Sequence, residues 1–250
     1  MPFRHFGRTD PSIGREGLSV KFGDPCLASY TEPPVIRRVT DIKVSAPEGG
    51  SISPMNEAKL IARAQQGNLE AFNDLVYHYQ DMAYNVAYRV LGNADAASDA
   101  TQNGFIKAYK ALHQYRGGSF KAWLLRIVTN CCYDLLRFHQ RRPSAPIDDL
   151  VEDDEHSGLL GSKEESPEDW VARQELGRLI QEGLEVLPPD QRTVLVLADI
   201  EGMAYEEIAA VTAVALGTVK SRLSRARAKM RGFLLERQEQ IPTGFRPTVE

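Results

Sequence analysis

The sequence predicts an all-α protein with two small helical domains joined by a flexible acidic linker. Apolar residues recur at helical spacing over residues 57–142 and again over 171–236. Between them, residues 143–170 hold ten acids and one base among prolines and glycines, a composition that does not build a core. Short stretches such as residues 35–44 could form strands, but nothing near them would pair with them.

The composition is that of a globular protein in a reducing cytoplasm. Of the 250 residues, 42% are apolar, enough to supply one or two cores. No apolar run approaches the roughly 18 residues that span a bilayer, and no signal peptide is expected. Cys26, Cys131 and Cys132 have neither disulfide nor zinc-ligand spacing and are interpreted as small buried residues. We therefore expect a cytoplasmic protein with no metal and no cofactor.

Residues 1–54 are predicted to be a disordered N-terminal extension. Proline, glycine and serine recur there, and no helical or alternating period persists. Helical periodicity begins at once after Met55. Two interpretations stay open: Met55 is the natural start, or the extension has a role of its own.

The first helical domain is predicted over residues 55–142. Asn68 can cap a helix that runs to about Leu91, where Gly92 stops it and Asn93 caps the next helix. The inner face of the first of these helices is apolar and comprises Phe72, Leu75, Val76, Tyr79, Ala83, Val86 and Val90. The second is expected over residues 95–112. After a Gly117-Gly118 turn, Ser119 caps a last helix over residues 120–140.

The linker, residues 143–170, follows because Pro143 and Pro146 cannot continue a helix. The second helical domain is predicted over residues 171–237, and residues 238–250 are expected to fray. Its first helix carries an apolar stripe of Leu176, Leu179, Ile180 and Leu184. Leu187-Pro188-Pro189-Asp190 stops one helix and starts another, which is expected to be buried over residues 193–200.

Residues 202–230 predict a helix-turn-helix, two short helices joined by a tight turn. The second helix buries a stripe at spacings of three and four, formed by Val219, Leu223, Ala226, Met230 and Leu234. No acid interrupts its basic residues, which are Lys220, Arg222, Arg225, Arg227, Lys229 and Arg231. The net charge of −4 hides this local field, which suits DNA phosphates.

Four motifs in this order resemble the extracytoplasmic-function sigma factors, minimal sigma-70-type initiation subunits of bacterial RNA polymerase. The similarity covers residues 57–236. The motifs are Phe120-x-x-Trp123-Leu124-x-Arg126-Ile127-x-x-Asn130, Leu187-Pro188-x-x-Gln191-Arg192, Tyr205-x-Glu207-Ile208-Ala209 and Gly217-Thr218-Val219-Lys220-Ser221-Arg222.

The resemblance implies a specificity subunit that is not an enzyme. Its implied partners are core RNA polymerase, promoter DNA and an anti-sigma factor, with no membrane insertion. The first domain would dock on polymerase and read the −10 element, and the last would read the −35 element. The linker would pass along the nucleic-acid channel of the polymerase.

Aromatic and basic residues alternate between Tyr115 and Trp123, a pattern that suits unpaired bases and their backbone. The resemblance assigns −10 contacts to Tyr115, Lys121, Arg126, Asn130, Asp134 and Arg137. Trp123 is read as core rather than as a stacking platform. Asn130 gains nothing intrinsically from a helix interior, so a base contact explains it better.

The resemblance places core-polymerase docking on Asp99, Gln102, Phe105 and Tyr109. The sequence departs from the family pattern at Ala96, Ser98 and Asn103, where acids are usual. It also departs at Gly104, because glycine weakens a helix by about 1 kcal/mol relative to Ala. In the last domain Ala204 stands where a Ser or Thr cap is usual, and Ala215 where Pro is usual.

The −35 contacts are expected on the helix that starts near Thr218. They are assigned to Thr218, Lys220, Ser221, Arg222, Ser224, Arg225, Arg227 and Lys229. Lys220, Ser221, Ser224 and Arg225 lie away from the apolar stripe and are expected to reach bases. Arg222, Arg227 and Lys229 are expected on flanking phosphates.

Two other classes of function are weighed. A stand-alone helix-turn-helix regulator would need a dimerisation or sensor element, which the sequence lacks, and it would leave residues 57–142 unexplained. An enzyme would need a metal loop, a phosphate loop or a nucleophile arrangement, and none is visible. The acids of the linker are better explained as a flexible tether.

Overall fold

The computed structural model describes residues 54–141, 167–242 and 245, and within them the chain is all-α, as predicted. The expectations for the N-terminal extension, for most of the linker and for most of the C-terminal tail lie outside these residues. All eight helices belong to one unit, Arg38–Glu250. No helix of the described part is long and apolar enough to cross a membrane.

Four helices form the N-terminal module, and their ends follow from local hydrogen bonding. Asn68 and Asn93 each accept a hydrogen bond at 2.8 Å from the backbone nitrogen three residues on, and Ser119 accepts one from Ala122 at 3.2 Å. Gly92 ends a helix in the left-handed region at φ 75°. The predicted caps are thereby confirmed. The elements are α1 (Pro54–Gln65), α2 (Leu69–Leu91), α3 (Ala94–Ala111), a 3-10 turn (Leu112–Gln114) and α4 (Phe120–Arg141).

The core of this module lies where α2, α3 and α4 meet. The predicted inner face of α2 is buried except at Val76, which is half-buried. Gly104 allows α3 to approach α4, because a Cβ built there would lie 2.7 Å from Val128 Cγ2. From the sequence alone, Gly104 only weakens the helix. The structure gives a reason for it, which is the close packing of α3 on α4.

The C-terminal module contains the other four helices, and the first starts earlier than expected. The elements are α5 (Pro167–Glu185), α6 (Pro189–Leu195), a π-helical turn (Val196–Ile200), α7 (Tyr205–Thr212), α8 (Leu216–Glu236) and a 3-10 turn (Gln238–Gln240). Residues 167–170, expected in the linker, form the first turn of α5, a position that tolerates Pro167 because its missing N–H has no helical partner there.

Two details of this module correct the sequence-based expectation. Burial along residues 193–200 ends at Leu197, and Asp199 and Ile200 are exposed on the π-helical turn. The second helix of the helix-turn-helix is long rather than short, with 21 residues. The turn before it passes through Ala213 at φ 54°, the one positive φ of a non-glycine residue in the described segments.

The two modules pack against each other, with α5 and α6 against the end of α2 and α7 against α4. Arg192 crosses this contact: it is 8% exposed and donates from Nη1 to the carbonyl oxygen of Val90 at 2.6 Å. The same guanidinium donates from Nη2 to the carbonyls of Glu185 at 2.9 Å and Leu187 at 3.3 Å. One side chain therefore joins α2 to the turn between α5 and α6.

Replacement of Gly104 by Ala is expected to destabilise the protein, although Ala is the better helix former. The clash falls on Cγ2 of Val128, a stiff β-branched side chain that is 0% exposed. Overpacking costs about 1–3 kcal/mol, which outweighs the roughly 1 kcal/mol gained in helix propensity. Thermal unfolding of Gly104→Ala should show a lower Tm.

Gly232→Ala is the matched control, because a Cβ at this position on α8 meets nothing within 4 Å. This substitution should leave Tm unchanged or raise it. A rise in Tm for both variants would contradict the close-packing role of Gly104.

Candidate nucleic-acid interface

The loop before α4 is built on an aromatic cluster. The Tyr115 ring lies 5.5 Å from the Phe120 ring and 5.4 Å from the Trp123 ring, measured between centroids. Its hydroxyl donates to the carbonyl oxygen of Gly118 at 2.7 Å, across a turn in which Gly117 and Gly118 have φ of 101° and 95°. Only glycine adopts such angles without strain. Trp123 is half-buried in this cluster, consistent with its interpretation as core.

Hydrogen-bonded polar groups on α1 and α2 support this aromatic cluster. Tyr79 packs on Phe120 at 5.5 Å, and its hydroxyl donates to the Glu57 carboxylate. Burial, reinforced by Glu57, raises the pKa of Tyr79 and that of Tyr115 above their ordinary values. Both phenols therefore stay protonated at neutral pH and can act as hydrogen-bond donors.

One exposed face of α4 carries four of the predicted −10 residues. Arg126, Asn130, Asp134 and Arg137 are all exposed and follow each other at spacings of three and four. Asp134 lies between two cations, 3.5 Å from Arg137 and 3.8 Å from Lys107 on α3. Lys107 was not among the predicted residues, and nothing in the sequence indicates that α3 contributes to this face.

Lys121, which is also predicted to contact the −10 element, is hydrogen-bonded to the other module. Its Nζ donates to the carbonyl oxygen of Glu201 at 3.2 Å, at the turn that precedes α7. Burial raises the pKa of Glu201, and the charge of Lys121 lowers it again in part. In the packed arrangement Lys121 therefore contributes to the contact between modules.

The predicted polymerase-docking residues on α3 do not form one surface. Asp99 is exposed, and Gln102 and Tyr109 are half-buried. Phe105 is 3% exposed and belongs to the core, because α3 packs on both α2 and α4. The docking role of these four residues stays a prediction.

Helix α8 buries Val219, Leu223 and Ala226 and presents the opposite side to solvent. Lys220, Ser221, Ser224, Arg225, Arg227 and Lys229 are exposed, and Thr218 and Arg222 are half-buried. The helix begins at Leu216, and Glu207 supports the preceding helix by accepting a hydrogen bond from the backbone nitrogen of Ala204 at 3.3 Å. That bond supplies part of the capping that the Ala204 side chain lacks.

Two arginines of α8 are held by acids of the same module. Arg222 Nε lies 3.0 Å from Asp190 Oδ2, and Arg227 binds Asp199 through two nitrogens. The bidentate hydrogen bonds raise the pKa of Arg227 above its ordinary value. Sequence analysis assigned neither acid a contact with α8, because they lie about 30 residues upstream, Asp190 on α6 and Asp199 on the π-helical turn.

A basic cleft of about 490 Å³ opens beside α8. Lys220, Arg227 and Arg231 line it together with the Tyr205 side chain at the start of α7. Arg231 was not among the predicted contacts, although it belongs to the basic run of the sequence. The cleft offers cationic and hydroxyl donors to an anion such as a phosphodiester.

The described cysteines give no reactive site. Cys131 and Cys132 are free and buried, as predicted, and burial raises the pKa of Cys132 to about 12. Within the described residues, no cluster of three or more His, Cys, Asp or Glu is placed to hold a metal ion.

Family models match both modules. The model of Sigma-70 region 2 matches residues 75–142, and that of Sigma-70 region 4 matches residues 177–230. The first match contains the loop before α4 and all of α4, and the second contains the helix-turn-helix.

Curated relatives of this chain are ECF RNA polymerase sigma factors. The ECF RNA polymerase sigma factor SigE of Mycolicibacterium smegmatis is 33% identical over 226 residues, covering 90% of this chain and 86% of the relative. The ECF RNA polymerase sigma-E factor of Escherichia coli is 37% identical over 175 residues, covering 69% and 91%.

Solved structures agree with this relationship. CnrH in complex with the cytosolic domain of CnrY matches with a TM-score of 0.53 and 32% identity, covering 72% of this chain and 98% of that one. The sigma factor RpoE in complex with the anti-sigma factor NepR from Bartonella quintana matches with a TM-score of 0.50 and 25% identity, covering 66% and 96%. The chain therefore belongs to the extracytoplasmic-function sigma factors of the sigma-70 family.

Proposed function

We propose a division of labour within this sigma factor, which binds core RNA polymerase and directs promoter recognition, opening and transcription initiation. Residues 55–142 hold the unpaired −10 strand, and residues 171–237 read the −35 duplex. The observation that carries this proposal is the pairing of an exposed polar face on α4 with a basic face on α8, one in each module. As an initiation subunit, the chain turns over no substrate itself and works in the cytoplasm.

The α4 face suits single-stranded DNA because it combines hydrogen-bonding groups with a neighbouring aromatic loop. Asn130 can pair with the edge of an unstacked base, and Arg126 and Arg137 can hold the backbone on either side. Asp134 fixes Arg137 rather than binding phosphate, since a carboxylate repels the DNA backbone. A stand-alone regulator would leave this face without a role.

The α8 face suits duplex DNA, with a division between base and phosphate contacts. Lys220 and Arg225 are exposed on the first turns, which enter the major groove in a helix-turn-helix. Arg222 and Arg227 are oriented by Asp190 and Asp199. Because a guanidinium has five donors, each arginine keeps donors for a flanking phosphate while it holds its acid.

We infer that the packed arrangement of the two modules does not reach both promoter elements at once. Elements centred near −10 and −35 lie about 25 base pairs apart, or roughly 85 Å of B-DNA. The longest described helix, α2, has 23 residues, which corresponds to about 35 Å. We propose that binding to core polymerase separates the modules and releases Lys121 from Glu201.

An anti-sigma factor is the proposed inhibitory partner. The matched structures of CnrH and RpoE are complexes with CnrY and with the anti-sigma factor NepR, and each match covers more of this chain than either module alone. A partner that stabilises the packed arrangement would keep the two DNA-binding faces from engaging a promoter together.

The match with SigE extends upstream of Met55, since residues 55–250 are fewer than the 226 residues matched.

Asn130→Ala is expected to impair promoter opening more than initial duplex engagement, because its proposed partner is an unpaired base. A stacking or hydrogen-bonding contact of this kind is worth about 1–3 kcal/mol, so open complexes should fall roughly five- to a hundredfold. Permanganate reactivity of −10 thymines measures this. Asn73→Ala, at an exposed position of α2, is the matched control. Wild-type thymine reactivity in Asn130→Ala would remove Asn130 from the site.

Lys220→Ala and Arg225→Ala are expected to relax preference at particular −35 positions, whereas Lys229→Ala should weaken all promoters evenly. A base-reading side chain gives about 1–3 kcal/mol of discrimination, and a phosphate contact lowers the salt slope by about one. Transcription from a randomised −35 library compares the three variants with wild type. One shared sequence profile for all four proteins would show that these two residues do not read bases.

A further inference from the structure

Gln65, at the end of α1, is hydrogen-bonded to the loop that precedes α4. Its Nε2 donates to the carbonyl oxygen of Leu112 at 3.1 Å and to that of Tyr115 at 2.8 Å. The two acceptors lie 47 and 50 residues further along the chain. Nothing in the helical pattern of α1 indicates this contact, since Gln65 is an exposed residue at a helix end.

The chemistry of this contact is specific to an amide. A glutamine NH₂ has two donors, and here they meet the backbone carbonyls of Leu112 and Tyr115. Because both partners are acceptors, the amide nitrogen and not the amide oxygen must point at the loop. A carboxylate of the same shape would have no donor and would repel both carbonyls.

The loop needs such support because its other hydrogen bonds are local. Tyr115 donates from its backbone nitrogen to Leu112 at 3.1 Å and from its hydroxyl to Gly118 at 2.7 Å. Gly117 and Gly118 both have positive φ, and glycine loses the most conformational entropy when it is ordered. Bonds from outside the loop therefore reduce the number of shapes that it can adopt.

Helix α1 also supports the aromatic cluster on which the loop rests. Glu57 accepts a hydrogen bond from Tyr79, and the Tyr79 ring packs on Phe120. Gln65 lies two turns further along α1. Helix α1 therefore contacts the backbone of the loop through Gln65 at its C-terminal end. Near its N-terminal end, Glu57 supports the aromatic cluster through Tyr79.

We propose that Gln65 is a positioning residue for −10 recognition: it fixes the backbone of residues 112–115 so that Tyr115 meets the unpaired strand in one geometry. This inference rests on the proposed role of the loop and of α4 in −10 reading. Gln65 itself does not touch DNA. It acts on the sequence preference and on the stability of the opened promoter through the loop.

The test compares Gln65→Glu and Gln65→Met with Gln66→Glu and Gln66→Met in the full chain assembled with core polymerase. Gln66 is the adjacent exposed residue, so the controls match the change of charge and of shape. Three quantities are measured: affinity for core polymerase, permanganate reactivity of −10 thymines, and the sequence profile from a randomised −10 library. Both Gln65 variants should keep core affinity, lower Tm by no more than a few degrees, lose about three- to tenfold in open complexes, and flatten the −10 profile, as expected for one or two lost hydrogen bonds.

Three outcomes would overturn the proposal: a wild-type −10 profile in both Gln65 variants, equal effects from the Gln66 variants, or a fall in Tm and core affinity that accounts for the loss of opening. Failure of the underlying function would look different. In that case the wild-type holoenzyme would itself show no dependence on −10 sequence.

Discussion

Among the described residues, one buried cation, Arg192, bridges the two modules of the packed arrangement. Arg192 donates to carbonyl oxygens of Val90, Glu185 and Leu187, which belong to α2, α5 and the turn before α6. Val90 lies in the last turn of α2, where carbonyls have no helical partner and the helix dipole is negative. The guanidinium therefore serves as a C-terminal cap that is supplied by the other module.

This contact is well placed to be temporary. Burial lowers the pKa of Arg192, the nearby charge of Glu185 raises it again, and Arg192 Nε has no hydrogen-bond partner among the described residues. Two further bonds across the contact, Lys121 to Glu201 and a long one from Arg89 to Gly177, also end on backbone carbonyls. Water can replace each of these partners, so separation leaves few groups unsatisfied. These polar bonds are compatible with the proposed separation of the two modules on a promoter.

The sequence predicted what local chemistry controls. Asn68, Gly92 and Ser119 mark helix ends because capping acts over three or four residues, and the apolar stripe of α8 follows from its period. The exposure of Asn130 and Lys220 follows from the same helical spacing. Their contacts with DNA stay a prediction.

The remaining features depend on which helices meet, and no local pattern carries that information. Gly104 weakens α3 by its low helix propensity, and only the position of Val128 on α4 explains why a glycine stands there. Phe105 is buried because α3 packs on both α2 and α4. Asp199 and Gln65 reach partners 28 and about 50 residues away, so their roles come only from the tertiary structure.

The most direct test of this account is the distance between the modules in solution. Spin labels at Asn85→Cys, in the half of α2 that α5 packs against, and at Glu182→Cys on α5, both exposed sites, would report it in a chain whose native cysteines are replaced. We expect one short distance in the free protein and a distance longer by several tens of Å, on the scale of the roughly 85 Å between promoter elements, in the promoter-bound holoenzyme. The same distance in both states would contradict the claim that the modules separate to function.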